Sequence, residues 1–387
     1  MYGLSELMES GKNGGGRTMR YTSKTTGSIF TVRKMSVAMA AVLLGAVCLL
    51  PKGGNAQVTG QCVNCHTMHN SQGGASMSAT STVYRSLTKG DCVGCHTGAA
   101  TDLTDNNIPK VNHTAAPAAT LAGGSFFWAQ TVDAKGHNVK GVSGVDGVLG
   151  NTPPGGAALG SQLTCAGTTG CHGDRAQGDE YAALSGSHHA PPQNSGGVAG
   201  AVDGSNLVNS YRFLNGTKGI EAADWEKTVS AAAHNQYYGV ARTTDAAVAQ
   251  TISALCGQCH GAFHASSAAH AANDVGISYS NNMTSPWVRH PTDFDMFTVK
   301  AKEYGDYGGS GVNAYVPQAP VASNSIAAVK STVLQIAGDA IVTCISCHRA
   351  HGSDQADLLR WDYTAMNAHA SAGGNVGCFA CHTTKDT

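Results

Sequence analysis

Every cysteine but one in this chain belongs to a Cys–His motif. Five motifs read Cys-x-x-Cys-His: Cys62, Cys65 and His66; Cys92, Cys95 and His96; Cys256, Cys259 and His260; Cys344, Cys347 and His348; Cys378, Cys381 and His382. A sixth is stretched to Cys-x5-Cys-His, at Cys165, Cys171 and His172. Cys-x-x-Cys-His is the attachment signature of c-type haem. Two thiols form thioethers with the macrocycle, and the imidazole that follows ligates the iron. Zinc would need the cysteine pairs to combine in fours, with no reason for a His after every second Cys. A redox dithiol would occur once, beside a βαβ pattern. The insert between Cys165 and Cys171 is rich in Gly and Thr, so it can bulge out and still present both sulfurs. A local disulfide is the competing reading there, but His172 directly after the second Cys favours haem. Six covalently bound haem c groups are expected. The fold class that follows is a multihaem cytochrome c, mostly coil and turns with short helices wrapped around a chain of six haems.

The remaining cysteine, Cys48, sits in a leader. Lys and Arg residues up to Lys34 precede an apolar run over 36–50, which is signal-peptide length and short for a bilayer span. Pro51 ends it, and Gly54-Asn55-Ala56 offers small residues for cleavage before Gln57. Residues 1–56 are read as the leader, a retained membrane anchor being the alternative, and 57–387 as a single hexahaem unit. Export to the periplasm, the outer-membrane surface or the exterior fits c-type haem, which is attached outside the cytoplasm. Without the leader, 17 basic and 23 acidic residues remain, and this acidic balance argues against nucleic acid as a partner. Aromatics are 6% of the chain while Gly numbers 49, too few large side chains for an ordinary core of this size. The macrocycles are expected to fill much of the interior. Short helices are expected over 246–255, 222–233 and 357–368, and loop-rich linkers over 101–117, 141–160 and 191–204.

Seventeen histidines follow the leader. Six complete the motifs: His66, His96, His172, His260, His348 and His382. Eleven are spare, and only five Met lie beyond residue 56. Bis-histidine ligation of every haem follows. Met ligation would raise the potential, so its absence implies low-potential haems. Three spare His trail a motif closely: His66-x-x-His69, His348-x-x-His351 and His260-x3-His264. Three or four residues along a helical turn put both imidazoles on one side. They cannot approach opposite faces of one haem, so each second His is expected to ligate a different haem.

The chain resembles the filament-forming hexahaem outer-membrane c-type cytochromes, the nanowire cytochromes. The likeness rests on Cys62-Val63-Asn64-Cys65-His66-Thr67-Met68-His69-Asn70-Ser71, Gly123-Gly124-Ser125-Phe126-Phe127-Trp128, Lys135-Gly136-His137-Asn138, Tyr211-Arg212-Phe213-Leu214, Arg289-His290-Pro291 and Cys344-Ile345-Ser346-Cys347-His348-Arg349-Ala350-His351. It implies protomers stacked end to end, a continuous chain of alternating parallel and T-shaped haem pairs, and bis-His iron throughout. It also implies one distal ligand donated across the subunit boundary: His69, to the neighbour's haem on Cys344, Cys347 and His348. The third site departs from the family: Gly173-Asp174-Arg175 follows it, without the nearby His of the family pattern, which leaves His188 or His189 to replace that ligand. Resemblance and spacing together select His69, His113, His137, His264, His290 and His351 as distal ligands, with His188, His189, His234 and His369 in reserve.

An extracellular conduit that polymerises and passes electrons to other redox cytochromes, metal oxides or other external acceptors is the first functional reading. A soluble periplasmic shuttle of the same haem type is the second, and it would ligate His69 within its own chain. A multihaem reductase is the third. It needs an open iron position with acid–base groups beside it, against which the surplus of His argues.

Overall fold

The computed structural model describes residues 58, 60–77, 82–190, 195–244, 246–264, 290–301, 304–309, 311–366 and 377–383. They belong to one compact unit, Asn55–Thr387. The leader, Arg289, His270 and His369 lie outside the described residues.

Regular structure is sparse, as the composition implies. Among the described residues the longest α-helix is Ile252–Gly257, with 6 residues. Helices this short do not hold in isolation, so each depends on its cap and its packing. Asp91 caps Cys92–His96 by accepting from the Gly94 amide at 2.7 Å. Thr251 caps Ile252–Gly257 through the Ala254 amide at 3.1 Å. At Cys344–Cys347 the Thr343 amide donates to Ser346 Oγ at 3.0 Å. All three capped turns carry a motif. Cysteines at i and i+3 share one face of a helical turn, which aims both thiols the same way. Cys62–Asn64 and Gly377–Ala380 are 3₁₀ turns, in which i and i+3 eclipse.

The stretched motif solves the same problem differently. Cys165 lies on Thr164–Ala166 and Cys171 on Gly170–His172, two strands paired in parallel. Residues 167–169 loop between them, with Gly167 turning at φ +85°. The other ladders are two residues long. They join Thr97–Gly98 to Asn112–His113 in parallel, and Phe294–Asp295 to Ile341–Val342 antiparallel. A three-stranded ladder runs Gln236–Tyr237, Gly219–Ile220, Ala201–Val202.

Three helix expectations change. The one over 246–255 forms only from Ile252, where Thr251 supplies the cap. No helix forms over 222–233: Trp225 and Glu226 adopt φ +56° and +63°, and Asp224 turns the chain by accepting from the Glu226 and Thr228 amides. Over 357–368 the described part holds 3₁₀ turns, Ala356–Leu358 and Tyr363–Ala365, with Asp357 and Leu358 left-handed. The stretches 101–117 and 141–160 are more than linkers. Each supplies a carbonyl that tethers a motif His, Pro109 for His96 and Pro154 for His260.

Two apolar clusters form conventional core, both drawn from residues beyond 200. One gathers Phe294, Met296, Tyr307, Tyr315, Val321 and Val333. The other gathers Val202, Tyr211, Tyr237, Ile252, Ile341 and Ile345. Ile252 precedes the motif that starts at Cys256 and Ile345 lies within the one that starts at Cys344, so this second cluster seats two of them. No helix among the described residues is long and apolar enough to cross a membrane.

Candidate haem-binding centre

Five motif histidines are held the same way. The Nδ1–H of His66 donates to Ser86 O at 3.0 Å, His96 to Pro109 O at 2.8 Å, His172 to Arg212 O at 2.8 Å, His260 to Pro154 O at 2.8 Å and His348 to Asp357 O at 2.6 Å. A carbonyl on Nδ1 fixes the tautomer and ring plane and leaves Nε2 to ligate metal.

Four motif rings face a second imidazole. His66 and His189 have centroids 5.8 Å apart, His260 and His137 6.1 Å, His172 and His351 6.4 Å, and His382 and His290 6.4 Å. Two metal–nitrogen bonds of roughly 2 Å each, plus the inset from nitrogen to ring centre at both ends, span about 6 Å. The pairs thus stand at the separation of two imidazoles sharing one metal. His137 and His290 carry the same tether, their Nδ1–H donating to Ala350 O at 2.7 Å and Pro291 O at 2.9 Å.

All of these rings but His382 border one continuous cavity of about 2130 Å³, lined by His66, His96, His137, His172, His188, His189, His234, His260, His290, His348 and His351, and by nine of the motif cysteines. Ordinary small-molecule pockets span roughly 300–1,000 Å³. A space this large, mostly walled by apolar side chains and fringed by imidazoles and thiols, fits several macrocycles in a row.

The cysteines arrange the row. Cys65 lies near Cys95, Cys171 near Cys259, and Cys347 near Cys378 and Cys381, close enough for each pair to interact electrostatically. The sulfurs of Cys92 and Cys165 lie within 4.8 Å of each other and of the Glu180 carboxylate. The thiols of Cys256 and Cys344 lie close enough to interact. From the second motif to the fifth, one thiol therefore faces the preceding motif and the other the following one. All twelve thiols are unbridged, so Cys165 and Cys171 do not form the alternative disulfide. The spatial order of the six sites is their order along the chain.

Burial holds the imidazoles neutral. It lowers His96 to about 4 and His351 to about 3, and depresses His137, His172, His188, His290 and His348. Neutral imidazole is the form that binds metal.

Of the six expected distal histidines, His137, His290 and His351 face a motif ring. The other three do not face one among the described residues. His113 is buried, with Nδ1 2.8 Å from Ser125 Oγ and Nε2 3.0 Å from Asp102 O, so both nitrogens are already engaged. His264 turns its Nε2 to Asp293 Oδ2 at 2.6 Å and to Arg242, a buried cluster away from the cavity. His69 is exposed. The reserve His234 is also engaged: its nitrogens lie 2.8 Å from Asn235 O and 3.1 Å from Lys330 O, and its ring stacks 3.5 Å from Tyr315. The ring opposite His66 was not singled out by spacing. Only the His188-His189 dipeptide in a segment otherwise without motifs marked it.

Comparison with known proteins agrees with this chemistry. A family defined by a doubled CXXCH motif matches residues 337–387. The C-type cytochrome OmcS of Geobacter sulfurreducens is 28% identical over 88% of this chain and 87% of its own length. Two solved structures are similar. The Outer Membrane Cytochrome S Filament from Geobacter sulfurreducens has 24% identity, covers 80% of this chain and 85% of its own, and has a TM-score of 0.44. The OmcS nanowires from the same organism have 23% identity, cover 79% and 84%, and have a TM-score of 0.43. With five attachment motifs lining one imidazole-fringed cavity and a sixth beside the fifth, the site fits a row of covalently bound haems, and the chain is similar along most of its length to the C-type cytochrome OmcS.

Proposed function

We propose that this chain is exported and serves as an extracellular electron conduit, polymerising end to end and delivering electrons to other redox cytochromes, metal oxides or other acceptors. The carrying observation is the unbroken succession of thiol neighbours from the first motif to the sixth. Bound haem supplies a one-electron iron couple. The chain's own residues do the rest. Carbonyl-tethered imidazoles hold a fixed ligand field, burial keeps them unprotonated, and the apolar walls exclude water. No acid–base chemistry is required of them, and the chain acts as a carrier rather than an enzyme.

The two ends of the ligand inventory support polymerisation. Among the described residues no imidazole ring contact is formed by His348, and His69 stands exposed with no motif ring opposite it. A neighbouring protomer's His69 completing the His348 site uses both. The test is cryo-electron microscopy of the native secreted material beside a His69→Ala variant. Native filaments with a continuous line of haem density, and short or absent filaments in the variant with all six haems retained by mass, are expected. Discrete native particles would support the shuttle, and an iron in them with an empty sixth position would support the reductase. Unchanged filaments in the variant would remove His69 from the contact.

A further inference from the structure

We infer that the His188-His189 dipeptide ligates two different haems, His189 serving the site of Cys62, Cys65 and His66, and His188 the site of Cys92, Cys95 and His96. The inference rests on the bis-histidine haem reading above and deepens it.

His189 is placed directly. Its ring lies 5.8 Å from that of His66, with planes inclined by 23°. His188 is placed by geometry and by elimination. It borders the same cavity as His96 and acts electrostatically on both His96 and His172, of which His172 already faces His351. Its ring packs 5.4 Å from that of Phe213, whose backbone neighbour Arg212 holds His172. Of the other spare histidines among the described residues, exposed His69 is assigned above to a neighbouring protomer, and the rest are committed. His137, His290 and His351 face other motif rings, while His113, His234 and His264 have their nitrogens bonded elsewhere. Neither ring of the dipeptide makes a hydrogen bond among the described residues.

The backbone presents the pair firmly. Gly186 adopts φ +77°, a conformation that suits glycine. Buried Ser187 donates to Leu184 O at 2.6 Å, and Val58 N donates to His188 O at 3.1 Å. Consecutive Cα atoms are about 3.8 Å apart, so one dipeptide can serve two sites only if they are immediate neighbours. The first and second motifs meet that condition, since Cys65 lies near enough to Cys95 to interact electrostatically and Lys89 N donates to Cys65 O one residue before Gly90, whose neighbour Asp91 caps the second motif.

The experiment uses full-length secreted protein carrying His188→Ala, His189→Ala or both. Haem attachment runs through the cysteines, so intact mass should still show six haems. Each single variant is expected to gain one high-spin haem and bind one more carbon monoxide per reduced chain than the unsubstituted protein; the double variant gains two. Added imidazole should restore the low-spin spectrum. A single variant with unchanged spin state and carbon monoxide stoichiometry, or one that opens two haems, overturns the assignment. If an alanine variant is not secreted, His188→Met and His189→Met replace it. A thioether–iron charge-transfer band at one haem is then expected, and its absence is the overturning result. Failure of the underlying haem reading would show separately, as fewer than six haems in the unsubstituted protein.

Discussion

Gly352 holds two of the facing histidines in place, and Gly352→Ala tests how. The segment around it is clasped from both sides. Ser125 N donates to Gly352 O at 3.0 Å, Ser353 N to Lys135 O at 3.0 Å, and His351 N to Gly123 O at 2.7 Å. An alanine methyl there would lie 2.6 Å from Lys135 O and 2.7 Å from Ser125 O, at a backbone φ of +147°. Carbon–oxygen contacts settle near about 3.3 Å, so both flanking segments must retreat by roughly 0.6 Å. That stretches the two serine-amide bonds past the useful limit. Two such bonds are worth about 1–3 kcal/mol together, and the strained φ adds about 1–3 kcal/mol. The same retreat draws His351 from His172 and His137 from His260. The denaturant midpoint should fall, and high-spin signal and carbon monoxide binding should rise at these two sites, with six haems still present by mass. A variant with an unchanged midpoint and wholly unchanged spin state would refute the clamp.

Replacing both Cys165 and Cys171 with Ser should lower the intact mass by one haem, leaving five, because the parallel ladder presents both as attachment sulfurs; six retained haems would remove the stretched motif from the count. Acid should weaken the fold in a defined window. His96 and His351, released by unfolding, bind protons below about pH 6.5, yet in the fold they stay neutral down to about 4 and about 3. Their burial contributes stability fully above pH 6.5, lost as pH falls toward those values. Thermal unfolding followed by circular dichroism should show a decline across that interval, and a flat profile from pH 7 to 3 would contradict it.

The chemistry of this chain was legible because it is local. Cys-x-x-Cys-His spans one turn, and its spacing, its caps and its proximal ligand all lie within a few residues. His137 and His290 carry short flanks that resemble a known family, and the structure sets both against motif rings. His113 and His264 lie apart from the motif rings for a tertiary reason. Their hydrogen-bond partners, Ser125 with Asp102 and Asp293 with Arg242, are 11 to 29 residues away and leave no local mark. His264 also shows the limit of spacing: a His on the turn after a motif need not reach any other site. The helix expected over 222–233 yielded to Asp224, whose carboxylate offered the backbone a turn instead. The order of the sites in space was invisible in the sequence, since it depends on which thiols meet across distant loops.

That order makes the molecule a circuit in series. Each inner motif lies beside its two chain neighbours, and no thiol interaction skips a site among the described residues. In the proposed conduit, current has one route, so the slowest junction sets the throughput of the whole chain and a single lost haem interrupts it. Redundancy would have to come from bundling many strands, not from within one.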